Sequence, residues 1–332
     1  MLKVVAPLTA RQFQRAIIMP NLKPPVRTLQ EAAHYRERIM EAIPGDISFT
    51  PLMTLYLTDQ TTSEEIEASH ASGFVKACKL YPAGATTNSA FGVTSMEKVS
   101  TALRTMEQVG MVLCIHGEST APGVDIFDKE AEFVSAVLPK VLTDFPNLKI
   151  VLEHVTTMQA VDLVLKTPGN RLAATITAHH LLYSRQAIFE GAKIHPHMFC
   201  LPVLKRELHR QALLKAILND ADGKLFAGTD SAPHPESSKI CSEGCAGIFT
   251  GHAAVELYAE AFEEAGALLK LEAFLSENGA KFYGLDLNDD RLTLRKSPHV
   301  GPLKIIVPGS DPIVPLRSGQ SIAWTLSSDE NS

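Results

Sequence analysis

A chain of 332 residues, 45% of them hydrophobic, can bury one large core. Its formal charge of −6 and pI near 6.1 leave no electrostatic footprint for nucleic acid or an anionic membrane, and no run approaches the ~18 consecutive apolar residues of a membrane span. Five cysteines (Cys78, Cys114, Cys200, Cys241 and Cys245) without framework spacing exclude a disulfide scaffold and point to free thiols in a reducing, cytoplasmic setting.

The first thirty residues carry Lys3, Arg11, Arg15, Lys23 and Arg27 with no acid before Glu31, superficially like a transit peptide. The better reading is a linker and helix running into an apolar strand, Ala16–Met19, which ends at Pro20-Asn21. Thr28 and Glu31 have capping-box spacing, and Leu29, Ala32, Ala33, Ile39, Met40 and Ile43 then form a helical stripe. Further strands are predicted at Pro51–Leu57, Val75–Leu80, Met111–His116, Leu148–His154, Leu172–Ile176 and Leu225–Gly228. All seven are continuously apolar, as strands buried on both faces should be. Between them, Thr94 and Glu97 repeat the capping-box spacing ahead of Val99, Leu103, Met106 and Val109, with Gly110 as a stop. Helices are also expected over Lys205–Asn219 and Leu268–Ser276.

Strand alternating with helix predicts a parallel α/β fold. A TIM-type (β/α)8 barrel accounts best for the pattern, with its first strand lying before residue 1. On that reading residues 1–290 form the barrel, and 291–332 form an extension with short strands at Leu303–Val307 and Ser321–Leu326.

Four strand-like runs end in residues of ligand type: Lys79, His116, His154 and Asp230. Strands of such a barrel aim their C-terminal residues into one shared mouth. Two imidazoles and a carboxylate converging there suit a borderline divalent ion such as Zn²⁺. Singly, each has a plainer explanation: a hydrogen-bonded histidine, a helix-capping Asp230, or a snorkelling Lys79. Together, with an acid beside each histidine (Glu118, Glu153), they favour ligation. Lys79 is the odd member. An ammonium cannot bind a cation, so it is modified, acts as an acid, or stands outside the site; burial would tend to strip its proton. Cys241 and Cys245 read as part of a glycine-rich loop, and His179-His180 and His195-Pro-His197 are candidate ligands by type only. No GxSxG elbow, Walker A loop or GxGxxG after a strand is present.

Six blocks carry a resemblance to the dihydroorotases of the short, homodimeric bacterial and fungal type, within the metal-dependent amidohydrolase superfamily. They are Ile18–Val26, Lys79–Ser89, His116–Glu118, Glu153–Thr157, Cys200–Lys205 and Gly228–His234. The resemblance covers nearly the whole chain. It implies that Lys79 is carboxylated to a carbamate bridging two Zn²⁺ ions, that His116 and His154 ligate one of them, and that Asp230 ligates the other and carries the proton. It implies further that Asn21 and His234 hold the substrate carboxylate with backbone groups near Leu201 and Ala246, and that Thr86 and Thr87 tip a closing loop. The implied reaction is the reversible cyclisation of N-carbamoyl-L-aspartate to L-dihydroorotate in pyrimidine synthesis, in a homodimer.

One departure stands out. The family opens on a strand with a His-x-His pair and a nearby arginine, whereas the first histidine here is His34, within a helical pattern. The expectation is a start at an internal methionine with about 23 further residues upstream, a strand plus its loop. The alternative is a form lacking two ligands of the first metal; His195-Pro-His197 has the right spelling but follows a late strand. Two other functions stay open: another cyclic amidase such as a hydantoinase, and a non-catalytic scaffold partnering aspartate transcarbamoylase.

Overall fold

A computed structural model describes residues 1–327 of the chain. Seven strands carry the architecture: β1 (Arg15–Ile18), β2 (Thr50–Tyr56), β3 (Val75–Leu80), β4 (Val112–Ile115), β5 (Ile150–Leu152), β6 (Leu172–Ile176) and β7 (Leu225–Ala227). They form one parallel sheet in the order β1-β2-β3-β4-β5-β6-β7, curled in the manner of a TIM barrel, with β1 and β7 as its two edges. The outer helices are α1 (Leu2–Ala10), α2 (Leu29–Met40), α3 (Ser63–Ala71), α4 (Ser100–Val109), α5 (Lys129–Ala136), α6 (Leu138–Asp144), α7 (Met158–Lys166), α8 (Ala178–Leu182), α9 (Glu207–Asn219), α10 (Glu236–Lys239), α11 (Ala254–Glu264) and α12 (Asn278–Tyr283). No described helix is long and apolar enough to cross a membrane.

Local chemistry explains most element ends. Thr28 and Glu31 close a reciprocal capping box at the start of α2. Gly110 ends α4 in the left-handed region at φ 78°, where a Cβ would be strained. The second capping box does not form. Helix α4 starts only at Ser100, because the Thr94 hydroxyl donates instead to Asp59 Oδ2 (2.6 Å) and accepts from Lys98 (2.7 Å). The helix expected over Leu268–Ser276 is also broken. A 3₁₀ turn (Leu268–Lys270) is followed by a π turn (Ala273–Glu277), after which Asn278 Nδ2 donates to Leu225 O at 2.9 Å and Gly279 packs on the Phe226 ring.

The period of two along each strand divides the core. Cys78, Leu80, Leu113, Ile115, Ile150, Leu152, Leu172 and Ile176 face the helix layer. Ala77, Val112, Cys114, Val151, Ala173 and Phe226 face inward with Phe282 of α12, and fill the lumen. This plug floors the mouth: Cys114 Sγ lies 3.2 Å from Tyr283 Oη, one inward position below His116.

Across the seam between β7 and β1, Gln12 ties the two ends of the sheet. Its Nε2 donates to Gly251 O (2.8 Å) and its Oε1 accepts from Val255 N (3.1 Å) at the start of α11. The last described segment forms two small antiparallel ribbons, β8 (Leu294–Arg295) with β11 (Thr325–Leu326) and β9 (His299–Val300) with β10 (Ser321–Ile322). They dock on α11 through Ala323 N to Glu260 Oε1 (2.6 Å) and Trp324 Nε1 to Glu263 Oε2 (3.1 Å). The stretch 303–307 makes only a bridge, Ile305 to Ile313, rather than the expected strand.

Candidate active site

One open cavity of about 1710 Å³ lies over the strand ends and runs down the seam. The ten residues to which the resemblance assigns a role line it: Asn21, Lys79, Thr86, Thr87, His116, His154, Leu201, Asp230, His234 and Ala246.

Parity along the strands explains how each arrives. Ala77 and Lys79, Cys114 and His116, Val151 and Glu153, and Ala173 and Thr175 are successive inward positions, so the strands aim Lys79, His116, Glu153 and Thr175 into the mouth. His154 is out of phase. It reaches the cavity because the chain turns left-handed there, at φ 43°. The turn is held by Thr175, whose hydroxyl accepts from His154 N (2.7 Å) and donates to Glu153 Oε2 (2.6 Å). Asp230 makes the same left-handed turn after β7, at φ 42°. Gly228 is required just before it, since a Cβ there would lie 2.5 Å from Thr175 Cβ.

The two imidazoles are set for a shared ligand. His116 is 1% exposed and its Nε2–H donates to Glu118 Oε2 at 2.7 Å, so the proton is fixed on Nε2 and the Nδ1 lone pair is free. That Nδ1 faces His154 Nε2 at 3.2 Å. With the His116 proton on Nε2, His154 Nε2–H is the donor across that contact; a cation held by both rings would take that proton's place and leave the His154 proton on Nδ1, which is buried and without a hydrogen-bond partner among the described residues. Burial, then the neighbouring His116, Lys79 and His180, hold His154 well below the usual imidazole range, so it stays neutral as a metal ligand must.

Lys79 is 2% exposed, with its Nζ 5.3 Å from the centroid of the Tyr81 ring. Burial pulls its ammonium below the ordinary lysine value, opposed by Glu153, Cys114 and Asp230. Burial also pushes the Asp230 carboxyl up to about 7, with Glu153 adding to the rise and Lys79 opposing it. Over the cavity, Thr87 Oγ1 donates to Ala246 O (3.5 Å) and Asn21 Nδ2 to Thr87 O (3.3 Å), while Asn88 Nδ2 donates back to Asn21 O (2.9 Å). The loop after β3 is thereby laced to the loops after β1 and β7.

Other candidates fall away from the mouth. His179, His180 and Cys200 form a buried group with ligand atoms within 4.8 Å of one another. His180 is already bonded at both nitrogens, to Thr177 Oγ1 (2.7 Å) and Pro202 O (3.0 Å). His195 Nε2 donates to Glu190 O (3.0 Å). All five cysteines are free thiols, and Cys241 is exposed. The sequence reading missed Glu153 and Thr175 as mouth residues; the in-phase positions of β5 and β6 were the available signal.

The amidohydrolase family model matches residues 3–292. A dihydroorotase of Aromatoleum aromaticum is 54% identical over 325 residues, covering 98% of this chain and 94% of that protein. One from Nitrosococcus oceani is 54% identical over 326 residues, covering 98% and 93%. The chain belongs to the dihydroorotase family. A crystal structure of the Saccharomyces cerevisiae dihydroorotase in complex with 5-fluoroorotic acid superposes on it with a TM-score of 0.89 at 33% identity, covering 98% of this chain and 93% of that one. Dihydroorotases of the amidohydrolase family are generally metal-dependent hydrolases of cyclic amides, and the His116–His154 pair is a donor set of the matching kind.

Proposed function

We propose that this chain is a dihydroorotase that interconverts N-carbamoyl-L-aspartate and L-dihydroorotate, a step of pyrimidine synthesis, on a site holding two Zn²⁺ ions. The observation that supports it most is the facing pair of imidazole nitrogens, 3.2 Å apart, in a mouth that also holds buried Lys79 and Asp230. In this reading His116 and His154 would hold one ion and Asp230 the other, and Lys79, carboxylated by CO₂, would supply a further oxygen ligand. A buried amine pulled toward its neutral form is the form that reacts with CO₂. The ions would polarise the reacting carbonyl and lower the pKa of water.

The remaining work belongs to the chain. Asp230 takes the proton from the attacking carbamoyl nitrogen as the N–C bond forms; as the C–O bond breaks it gives that proton to the leaving oxygen, which takes a second from solvent and departs as water. In ring opening it accepts a proton from water and returns it to the leaving nitrogen. Asn21 and His234, with backbone groups at Leu201 and Ala246, hold the substrate carboxylate. Thr86 and Thr87 lie on the loop that closes over it and excludes water. A cytoplasmic homodimer completes the proposal.

Asp230→Ala tests the role assigned to that residue. Turnover of dihydroorotate should be lost, with the melting temperature and circular dichroism of the wild type retained. A variant that still turns over would remove Asp230 from the chemistry. Hydantoin should be a poor substrate beside dihydroorotate; the reverse preference would favour the cyclic amidase reading.

A further inference from the structure

Behind the mouth a buried ammonium performs no chemistry yet has three acceptors. Lys239, at the end of α10 and 5% exposed, donates to Phe199 O (2.8 Å), Cys245 O (2.9 Å) and Gly247 O (2.7 Å). Phe199 precedes Leu201 in the loop after β6, and Cys245 and Gly247 flank Ala246 in the loop after β7. Leu201 and Ala246 both line the cavity. A direct bond from Gly247 N to Phe199 O (2.9 Å) joins the same two loops. Lys239 is therefore a rivet between two walls of the mouth.

The consequence for substrate follows from peptide geometry. In a trans peptide the C=O and the next N–H point in opposite directions. With Cys245 O drawn back onto Lys239, the Ala246 N–H points away from Lys239, and it has no hydrogen-bond partner among the described residues. The Ala246 carbonyl accepts separately from the Thr87 hydroxyl (3.5 Å). We infer that Lys239 is a positioning residue for the substrate carboxylate: by clamping Phe199, Cys245 and Gly247 it aims the Ala246 N–H into the cavity. The inference rests on the function proposed above, because it takes the occupant of that subsite to be an anion.

Charge matters to the clamp as well as shape. A neutral amine has two N–H groups for three carbonyls. Burial lowers Lys239 to about 8, partly offset by the neighbouring Cys200 and Cys245. The other titratable groups facing it are His179, His197 and His234, all held below the usual imidazole range by burial first, and Cys200, which burial pushes up to about 12. Those groups keep one protonation state from pH 7 to 9.5, and a Cys245→Ser background removes the remaining thiol from the comparison.

The test uses metal-loaded full-length protein in that background, with Lys239→Met and Lys239→Arg beside it. Ring-opening kinetics and orotate binding are read from pH 7 to 9.5. At pH 7.5 Lys239→Met should raise KM and weaken orotate binding about tenfold or more, the scale of losing a hydrogen bond to a charged group. Its kcat and bound metal should stay within about twofold, the signature of lost ground-state binding. The background protein's KM should climb above pH 8, and Lys239→Arg, charged throughout, should show no such climb. A Lys239→Met KM equal to the background value, or a parallel loss of kcat and metal, overturns the inference. If Lys239→Met does not fold, parallel KM profiles for the background protein and Lys239→Arg overturn it. Failure of the unsubstituted protein itself to turn over dihydroorotate or bind orotate would overturn the proposed function and this inference together, and is distinct from a defect seen only in the Lys239 variants.

Discussion

A left-handed turn decides which residue of β5 faces His116. By parity the strand offers Glu153, and only the positive φ at His154 brings the imidazole to the mouth while Glu153 anchors Thr175 beneath it. Lys79 and His116 were legible in the sequence because strand parity alone delivers them. His154 was legible only as a ligand type at a strand end; its turn depends on Thr175 of β6, against which a Cβ at Gly228 would collide. Glu118 is the quiet partner, since it fixes which nitrogen of His116 is free. Glu118→Gln should weaken metal binding by about 10–100-fold, the usual effect of removing such a partner. Competition with a chromophoric chelator measures this directly, and an unchanged metal affinity would contradict the assignment.

Between elements, the clearest device is buried Glu130 on α5. Its two oxygens accept from Thr156 N (2.9 and 3.0 Å), Thr156 Oγ1 (2.7 Å), Thr157 N (2.8 Å) and Thr157 Oγ1 (2.6 Å). They pin the loop that follows His154, and Thr157 then caps α7. An amide has one oxygen and cannot accept from both threonines in this way. Glu130→Gln should therefore destabilise the fold by about 1–3 kcal/mol, the cost of leaving buried donors unmet. Urea denaturation reads the change, and a shift below a few tenths of a kcal/mol would show the latch to be idle. Local sequence could not reveal it, because donors and acceptor lie 26 and 27 positions apart. The same limit applies to Thr94: its spacing to Glu97 matches a cap, but its hydroxyl accepts from Lys98 and donates to Asp59 on another loop. Thr28 and Glu31 had no such rival and capped α2 as their spacing promised.

At the scale of the whole molecule, buried neutral imidazoles set how the fold responds to acid. Burial lowers His252 from 6.5 to about 4 and His179 from 6.5 to about 3. The unfolded chain takes up these protons near pH 6.5, while the folded chain does not until pH 3–4. Stability is therefore full above about pH 6.5 and falls as the pH drops through 6.5 toward 4. Calorimetry should show a melting temperature that declines over that window, and less steeply in His252→Gln. A flat profile, or the same slope in the variant, would contradict the burial argument. Continuously apolar strands made the parallel sheet readable, since two buried faces leave no polar alternation in β4, β5 and β6, while the edge strand β1 is only half-buried. The ribbons after residue 293 were only partly readable, because strands of two residues depend on docking against α11 rather than on their own pattern.

In the proposed function, metal would sit where Lys79, His116, His154 and Asp230 line one mouth. Anomalous diffraction from crystals of the zinc-loaded protein, collected on both sides of the zinc absorption edge, locates it without assuming any role. One peak is expected within bonding distance of His116 Nδ1 and His154 Nε2 and a second between Lys79 and Asp230. Zinc bound elsewhere in an active protein, with that mouth empty, would contradict that placement.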